Sequence, residues 1–310
     1  GCRRKCKIFK KITTMKSTSN INIVNEPSIK QSFLEEPNSL YSPRYNLFNQ
    51  NVVKDLKSNN LHTQFESITA NSKIAKGDCE ELMSNIESES VDLILTDPPF
   101  NLGSFMHKRG TNLVKMRENQ FAYAGWDDLE YEEWLMKMSA FFKQSNRVLR
   151  KKGSLLLFMS LMKIESIINL AEENNFYYKT VGIWHKTNPM PRNMNLHFVN
   201  STEAWVYLIN EGTTGTFNNE NKVLHDFIES SLTTQSEKKF GKHPTQKPID
   251  VLNHFTKVLS NEGDVVCDPF MGSGSTGVSC EMNNRQFIGI ELNEEYYNIS
   301  KNRIQDIAIK

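Results

Sequence analysis

Residues 265–277 read VVCDPFMGSGSTG, and this stretch decides the fold. An apolar run of strand length leads into a glycine-rich turn, and a helix is predicted to begin at Ser275. Glu291 ends the next predicted strand. Glycines let the backbone approach a ligand, a helix amino terminus presents unpaired N–H groups to an anion, and the later carboxylate can accept bonds from two ribose hydroxyls. The stretch therefore predicts a nucleotide-type site at a strand-to-helix turn.

The spacing of the three glycines leaves alternatives open. Gly272, Gly274 and Gly277 spell G-x-G-x-x-G. That string equally fits a dinucleotide-binding dehydrogenase, or a turn that only packs a helix against a sheet. A second motif is needed to choose between these classes.

The second motif is Asp97-Pro98-Pro99-Phe100, which follows a buried strand predicted at residues 90–96. It places a carboxylate, a rigid carbonyl and an aromatic face at the carboxyl end of a strand, the edge where parallel sheets bind ligands. The exocyclic amine of a base is a poor nucleophile, and acceptors such as Asp97 and the Pro98 carbonyl would pull its nitrogen toward sp³ geometry. Phe100 would stack on a base flipped out of the duplex. The alternative is a rigid turn without function.

Hydrophobic periodicity predicts alternating strands and helices. A polar segment at 210–242 has too few apolar residues for the core, and residues 101–126 read as a long loop. Because β, α and β patterns alternate, a mostly parallel sheet is expected. Strands are predicted at 90–96, 154–159, 177–185, 203–209, 264–268 and 286–292, and helices from a cap at Asp127–Asp128 to about 152, at 163–173 and 249–260, and from 275 and 293.

Composition bounds the function only loosely. The 310 residues carry a net charge of +1, so binding to nucleic acid would need a local basic surface. No apolar run approaches the roughly 20 residues that cross a bilayer. Five cysteines without paired zinc-ligand spacing argue against a disulfide framework or a metal site and favour a reducing, cytoplasmic setting.

The first 70 residues are polar and interrupted by prolines. They predict a poorly ordered or extended lead-in, with Met15 as a candidate natural start and the basic run at 3–7 as a candidate phosphate-binding arm. The domain is expected to span residues 71–310.

The motifs resemble the β group of DNA amino-methyltransferases, which includes restriction–modification adenine enzymes. The resemblance covers about residues 73–307 and implies a doubly wound α/β fold of the class I methyltransferase type, Rossmann-like, with a seven-stranded mostly parallel sheet. The chain order, with the catalytic motif before the cofactor motif, matches the circular permutation of this group. The matching segments are Gly77-Asp78-Cys79, Asp97 to Phe100, Trp184 to Pro191, His243 to Pro248 and Asp268 to Gly277.

The resemblance also implies roles for individual residues. S-adenosyl-L-methionine would be the cofactor, with Asp78 near its adenine, Glu291 at its ribose, and His243, Thr245 and Lys247 at its methionine end; by themselves, His243 and Lys247 would read as a solvated loop. The catalytic residues would be Asp97, Pro98, Pro99 and Phe100. The cofactor turn would consist of Asp268, Pro269, Phe270, Gly272, Gly274, Ser275 and Thr276.

Two positions bear on the target base. Many members of the group have Tyr where this chain has Phe100, so stacking is kept while a hydroxyl is lost. Cytosine-N4 enzymes commonly have Ser at the position of Asp97, so its carboxylate favours adenine N6. Cytosine N4 is the nearest alternative, followed by an RNA or protein amide methyltransferase and by a DNA-binding regulator without turnover.

Target recognition is expected at about residues 186–242, helped by the loop at 101–126. Double-stranded DNA is the expected substrate, and the group raises a homodimer and a cognate restriction endonuclease as further partners. Direct in-line transfer needs neither a metal nor a covalent enzyme intermediate. The candidate contacts to phosphates or base edges are Lys108, Arg109, Lys115, Arg117, Lys186 and Arg192.

Overall fold

The computed structural model describes residues 65–102, 129–190, 195 and 198–309. They belong to one compact unit, Leu61–Lys310. Several positions discussed above lie outside the described residues. They are Met15, the basic run at 3–7, residues 103–126 of the predicted loop, and Asp127 and Asp128. The sheet begins at Glu66, inside the last residues of the predicted lead-in.

Nine strands form one sheet in the order β1-β2-β9-β8-β3-β4-β6-β5-β7. Neighbouring strands from β2 to β4 in this order are parallel, whereas β6 is antiparallel to both β4 and β5. The six strands located from the sequence are β3–β6, β8 and β9; β2 completes the seven that the resemblance implied, and the short β1 and β7 extend the two edges. The bounds are β1 Glu66–Ser67, β2 Ser72–Lys76, β3 Val91–Thr96, β4 Leu149–Met159, β5 Phe176–Lys186, β6 Thr202–Asn210, β7 Phe227–Ser230, β8 Val265–Asp268 and β9 Gln286–Glu291.

Helices cover both faces of the sheet. Ile94 of β3 packs with the cluster of α1–α3, while Leu93 and Leu95 pack with that of α4–α6, because successive side chains of a strand point to opposite faces. The doubly wound α/β prediction is therefore confirmed. The helices are α1 Cys79–Met83, α2 Tyr131–Val148, α3 Ile164–Glu173, α4 Ile249–Leu259, α5 Ser275–Met282 and α6 Glu294–Ala308.

Two local expectations need correction. The N-cap residue of α2 is Glu130, so the helix begins beyond the predicted cap at Asp127–Asp128. Residues 210–242 do contribute to the core, because Leu224, Ile228 and Leu232 pack against the α4–α6 cluster. Isolated apolar residues in a polar segment carry no periodic signal, which is why the sequence pattern missed them.

The central strands β8 and β3 are neighbours, so the glycine-rich turn and the Asp-Pro-Pro-Phe motif emerge side by side at the carboxyl edge. Within the described residues, no helix is both long and apolar enough to span a membrane. In the same ranges, Cys79, Cys267 and Cys280 are buried free thiols, and no cluster of His, Cys, Asp and Glu has the makings of a metal site.

Candidate active site

Asp268 organises the glycine-rich turn from inside. Its carboxylate is 4% exposed and accepts hydrogen bonds from the hydroxyls of Thr96 and Thr276, each at 2.7 Å, and from the Phe270 N–H at 3.1 Å. Burial raises the pKa of Asp268 to about 6 although these bonds oppose the rise. Since Thr96 immediately precedes Asp97, this bond ties the two motifs together.

Glycine is needed at the three glycine positions of the turn for different structural reasons. Gly272 and Gly274 adopt left-handed φ angles of 52° and 77°, which side-chain-bearing residues rarely adopt. A Cβ on Gly272 would lie 3.1 Å from His243 Nε2. A Cβ on Gly277 would approach Ile304 and Phe287 to 2.5 and 2.7 Å, so this third glycine lets helix α5 pack closely on the sheet.

Glu291, at the end of β9, faces the same turn. Its carboxylate accepts hydrogen bonds from the Gly272 N–H at 2.9 Å and the Asn293 N–H at 2.7 Å. Burial raises the pKa of Glu291 to about 7. The acidic group expected at the end of this strand is therefore present beside the turn, held by backbone donors.

His243 and Thr245 lie in the segment before α4. The imidazole packs edge-on against Tyr296 with ring centroids 4.2 Å apart, and Thr245 Oγ1 is 3.5 Å from His243 Nδ1. Burial, together with Lys247 and Arg303, lowers the pKa of His243 to about 4, so the imidazole is neutral at neutral pH. Asp78 lies beyond β2, where its side chain caps α1 by accepting from the Glu80 N–H at 2.8 Å.

Asp97 follows β3 and binds the Lys247 ammonium through Oδ2. Its other oxygen, Oδ1, is buried and has no hydrogen-bond partner among the residues that the structure describes. Burial raises the pKa of Asp97 to about 6, although Lys247 opposes the rise and Glu203 adds to it. A buried acceptor without a donor is costly unless a ligand supplies one, so Oδ1 marks the place for an N–H donor.

Two aromatic rings lie close to the ammonium of Lys247, whose side chain is 7% exposed. Nζ lies 4.9 Å from the ring centroid of Phe158 and 5.7 Å from that of Phe100. Pro98 is buried, and the Pro99 carbonyl accepts a long hydrogen bond of 3.4 Å from the indole N–H of buried Trp134. The Asp-Pro-Pro-Phe segment is thus fixed from α2 as well as from Lys247.

A model of the DNA methylase family, which unites N6 and N4 methyltransferases, matches residues 91–302. That range spans more than half of the chain and contains both motifs. The chain belongs to the DNA methylase family.

Two similar relatives are type II methyltransferases. M2.LlaDCHI of Lactococcus lactis subsp. cremoris is 32% identical over 245 residues, which cover 76% of this chain and 89% of the relative. M.HinfI of Haemophilus influenzae is 32% identical over 255 residues, covering 76% and 68%. Together with the family match, they show that this DNA methylase is a site-specific DNA amino-methyltransferase.

Solved structures agree with the fold. The complex of M1.HpyAVI with SAM superposes with a TM-score of 0.55 at 27% identity, covering 75% of this chain and 99% of that one. The cytosine-N4-specific PvuII DNA methyltransferase superposes with a TM-score of 0.60 at 20% identity, covering 78% and 92%. The class I methyltransferase fold is therefore confirmed for this DNA methylase.

S-adenosylmethionine is the methyl donor of this DNA methylase, and the residues at the carboxyl edge fit it. Gly272 carries no side chain at a point where a Cβ would crowd His243, so the backbone there stays open to close approach by a ligand, and Glu291 offers a carboxylate beside it. When bound, the cofactor supplies an electrophilic methyl group.

Some predicted cofactor residues use their side chains for the protein itself. The Ser275 hydroxyl donates to the Lys247 carbonyl at 2.8 Å, and the Thr276 hydroxyl donates to Asp268. Pro269 is buried, while Phe270 is partly buried and packs 5.6 Å from Phe141 between ring centroids. These hydroxyls therefore fix the methylase turn.

Lys186 does not lie where the sequence placed it. It was expected on a DNA-facing loop, but its side chain is 13% exposed and its ammonium binds Glu203, because a cation in this apolar setting needs a counterion. Lys108, Arg109, Lys115, Arg117 and Arg192 lie outside the described residues.

Sequence reasoning missed three residues of this DNA methylase. Arg303 donates through Nη1 to the Ser273 carbonyl at 2.6 Å and to the Ser275 hydroxyl at 3.1 Å, so α6 holds the cofactor turn. The Asn101 side chain bonds both the N–H and the carbonyl of Leu129, each at 3.0 Å. Glu203 binds both Lys186 and Lys247. Of these three residues, only Glu203 stood out in the sequence, as an acidic residue at the start of an otherwise apolar strand.

Proposed function

We propose that this methylase transfers the methyl group to N6 of adenine. The observation that carries the proposal is Oδ1 of Asp97 at the end of β3, which is buried and finds no hydrogen-bond partner in the described part of the chain. A carboxylate there supplies the strong acceptor that a poorly nucleophilic amine needs. Cytosine N4 presents the same kind of amino group and is the alternative.

Asp97 and Pro98 are proposed to hold the target amine. Oδ1 accepts one N–H and the Pro98 carbonyl accepts the other, which raises the electron density on the nitrogen. Pro99 keeps the segment rigid while Phe100 stacks on the flipped base. Orientation and electrostatics then suffice for direct transfer, and the amine loses its proton to water afterwards.

The cofactor is proposed to rest on the glycine-rich turn and its neighbours. The turn itself, Asp268 to Thr276, contributes backbone N–H groups at the start of α5 and the aromatic face of Phe270. Glu291 accepts bonds from the ribose, and Asp78 lies toward the adenine. Neutral His243, with Thr245 and Lys247, lines the methionine end.

Product analysis tests the target base. The methylase is incubated with unmethylated genomic DNA and labelled S-adenosylmethionine, and the nucleosides are analysed by mass spectrometry. N6-methyladenine at one short motif, located by single-molecule sequencing, is the expected result. N4-methylcytosine would overturn the choice of base, and label in RNA or protein but not in DNA would overturn the substrate class.

Cofactor affinity is expected to rise with pH between about 6 and 8. The pKa of Glu291 is raised to about 7 by burial, so the carboxyl loses its proton across this window and gains the capacity to accept ribose hydroxyl bonds. Isothermal titration calorimetry at several pH values measures the dependence. The Glu291→Gln variant should bind more weakly at high pH and lose most of the slope, and an unchanged slope would contradict the assignment.

Double-stranded DNA is proposed to lie across the carboxyl edge of the sheet, with residues 186–242 and the 101–126 loop choosing the site. A homodimer and a cognate restriction endonuclease are further proposals; light scattering tests the first, and a pull-down with the methylase as bait, assayed for nuclease activity, tests the second. A cytoplasmic, nucleoid-associated location would follow from the substrate.

A further inference from the structure

Four charged side chains from four segments of the chain form a cluster that includes Asp97, the first residue of the Asp-Pro-Pro-Phe motif. Lys247 Nζ binds Asp97 Oδ2 and lies 3.2 Å from Glu203 Oε2. Glu203 Oε1 in turn binds Lys186. Asp97 follows β3, Glu203 belongs to β6, Lys186 ends β5 and Lys247 precedes α4, so the cluster connects the catalytic motif with the cofactor segment.

The cluster is enclosed enough for its charges to act strongly on one another. Asp97 and Glu203 are each 21% exposed, and Lys186 and Lys247 are 13% and 7% exposed. Charges interact more strongly at low dielectric than in water. The further carboxylate facing this cluster is Asp268 of β8, which interacts with Asp97 across the two motifs.

Lys247 alone would neutralise Asp97. A carboxylate that shares its charge fully with an ammonium is a weaker acceptor for the target amine. Glu203 provides a second anionic partner for the same ammonium.

We propose that Glu203 is a positioning residue of the methyl transfer reaction: it shares the Lys247 ammonium with Asp97, and so fixes the place of Lys247 and preserves the acceptor strength of Asp97. Lys186 holds Glu203 in this arrangement from the other side. This inference rests on the proposed role of Asp97 as the acceptor of the target amine.

The charges give the proposal a signature in the pH dependence. Burial raises the pKa of Asp97, Lys247 opposes the rise, and Glu203 adds to it. Without the charge of Glu203, the Lys247 ammonium interacts with Asp97 only, and the repulsion between the two carboxylates is lost. Both changes lower the pKa of Asp97. Although burial alone raises the pKa of Glu203, Lys247 and Lys186 lower it overall.

The test is Glu203→Gln, which keeps the shape of the side chain and removes its charge. We expect kcat to fall about 10- to 100-fold, less than the roughly 10²- to 10³-fold that follows the loss of a direct transition-state contact, because Glu203 acts through Lys247; KM for S-adenosylmethionine should change less than about threefold. The acid limb of the plot of kcat against pH should lie at lower pH than in the wild type. Damage to the fold alone would lower the rate at every pH without moving the limb.

Asp92→Asn is the matched control. Asp92 lies on β3 at the far end from Asp97, is 18% exposed and pairs with Arg150 at 2.6 Å. The Asp92→Asn substitution therefore removes the charge of a similarly enclosed, paired carboxylate on the strand that leads to Asp97. Its acid limb should coincide with that of the wild type.

A second variant keeps the proposal falsifiable if Glu203→Gln folds poorly. Glu203→Asp keeps the charge but withdraws it from Lys247, so kcat should fall while the acid limb lies between those of the wild type and the glutamine variant. A wild-type kcat in Glu203→Asp, or an unmoved acid limb in folded Glu203→Gln, overturns the proposal.

Carbon-13 NMR of labelled aspartate carboxyls, with Asp97 assigned from an Asp97→Asn sample, separates this proposal from the role of Asp97 itself. The Asp97 resonance should titrate at lower pH in Glu203→Gln than in the wild type. An unshifted titration overturns the coupling. A shifted titration together with an active Asp97→Ala enzyme would instead overturn the catalytic role on which the inference rests.

Discussion

Replacing Asp97 with alanine is expected to lower the rate of methyl transfer about 10³-fold or more, because the amine loses the acceptor that raises its nucleophilicity. The Oδ1 atom has no partner in the described protein, so we expect it to accept a hydrogen bond from the reacting substrate. Cofactor affinity should change little, since the glycine-rich turn is held by Asp268 and Glu291. Single-turnover kinetics and calorimetry measure the two quantities separately.

Asp97→Asn is the informative companion to this variant. The amide keeps one acceptor oxygen without the charge, so its rate should lie between those of the wild type and the alanine variant. Both variants must keep the far-ultraviolet circular dichroism of the wild type. Transfer by Asp97→Ala at more than about a tenth of the wild-type rate would contradict the assignment of the target-amine site.

Replacing Lys247 with methionine is expected to destabilise the protein by about 3–5 kcal/mol, since it leaves two enclosed carboxylates without their common cation. Asp97 and Glu203 would then raise each other's pKa above the values in the unfolded chain. A group of this kind contributes stability at low pH that is lost as the pH rises through the folded-state pKa. The stability deficit relative to the wild type should therefore be larger at pH 8 than at pH 5, as urea unfolding at both pH values will show.

Lys247→Arg serves as the control because it retains a cation between the two carboxylates. It should recover most of the stability at pH 8, although the larger guanidinium fits the aromatic surroundings of Phe158 and Phe100 less well. A methionine variant with the same deficit at both pH values would mean that the ammonium does not balance these carboxylates.

The fold was predictable because its signals are local and repeated. The runs at 90–96 and 264–268 are short, apolar and bounded by turn residues, which fixes them as buried strands of a parallel sheet. Both motifs directly follow one of these strands, so the sequence predicts that Asp97 and Gly272 lie at the same carboxyl edge. The strands β1, β2 and β7 were not predicted, because these short segments contain few apolar residues and so give no clear pattern.

The interior of the site was only partly predictable. Asp268 and Glu291 were found because glycine turns and strand ends mark them, but the partners of Asp97 come from far along the chain: Lys247 is separated from it by 150 positions. Glu203 gave only a weak signal, since a charge at the start of a strand normally faces water. Lys186 was placed wrongly for the same reason.

The order of strands in the sheet has a consequence for synthesis on the ribosome. β2 and β3 are made early, yet their parallel neighbours β9 and β8 are the last strands to emerge. A nascent chain that has passed β7 therefore still carries two strand edges, on β2 and β3, whose partners are not yet made; unpaired edges of this kind favour aggregation. Closing the sheet requires contacts between residues far apart in sequence, which slows folding. Stalled or truncated chains ending before Val265 should accordingly depend on chaperones, and catalytic competence should arise only when translation is almost finished.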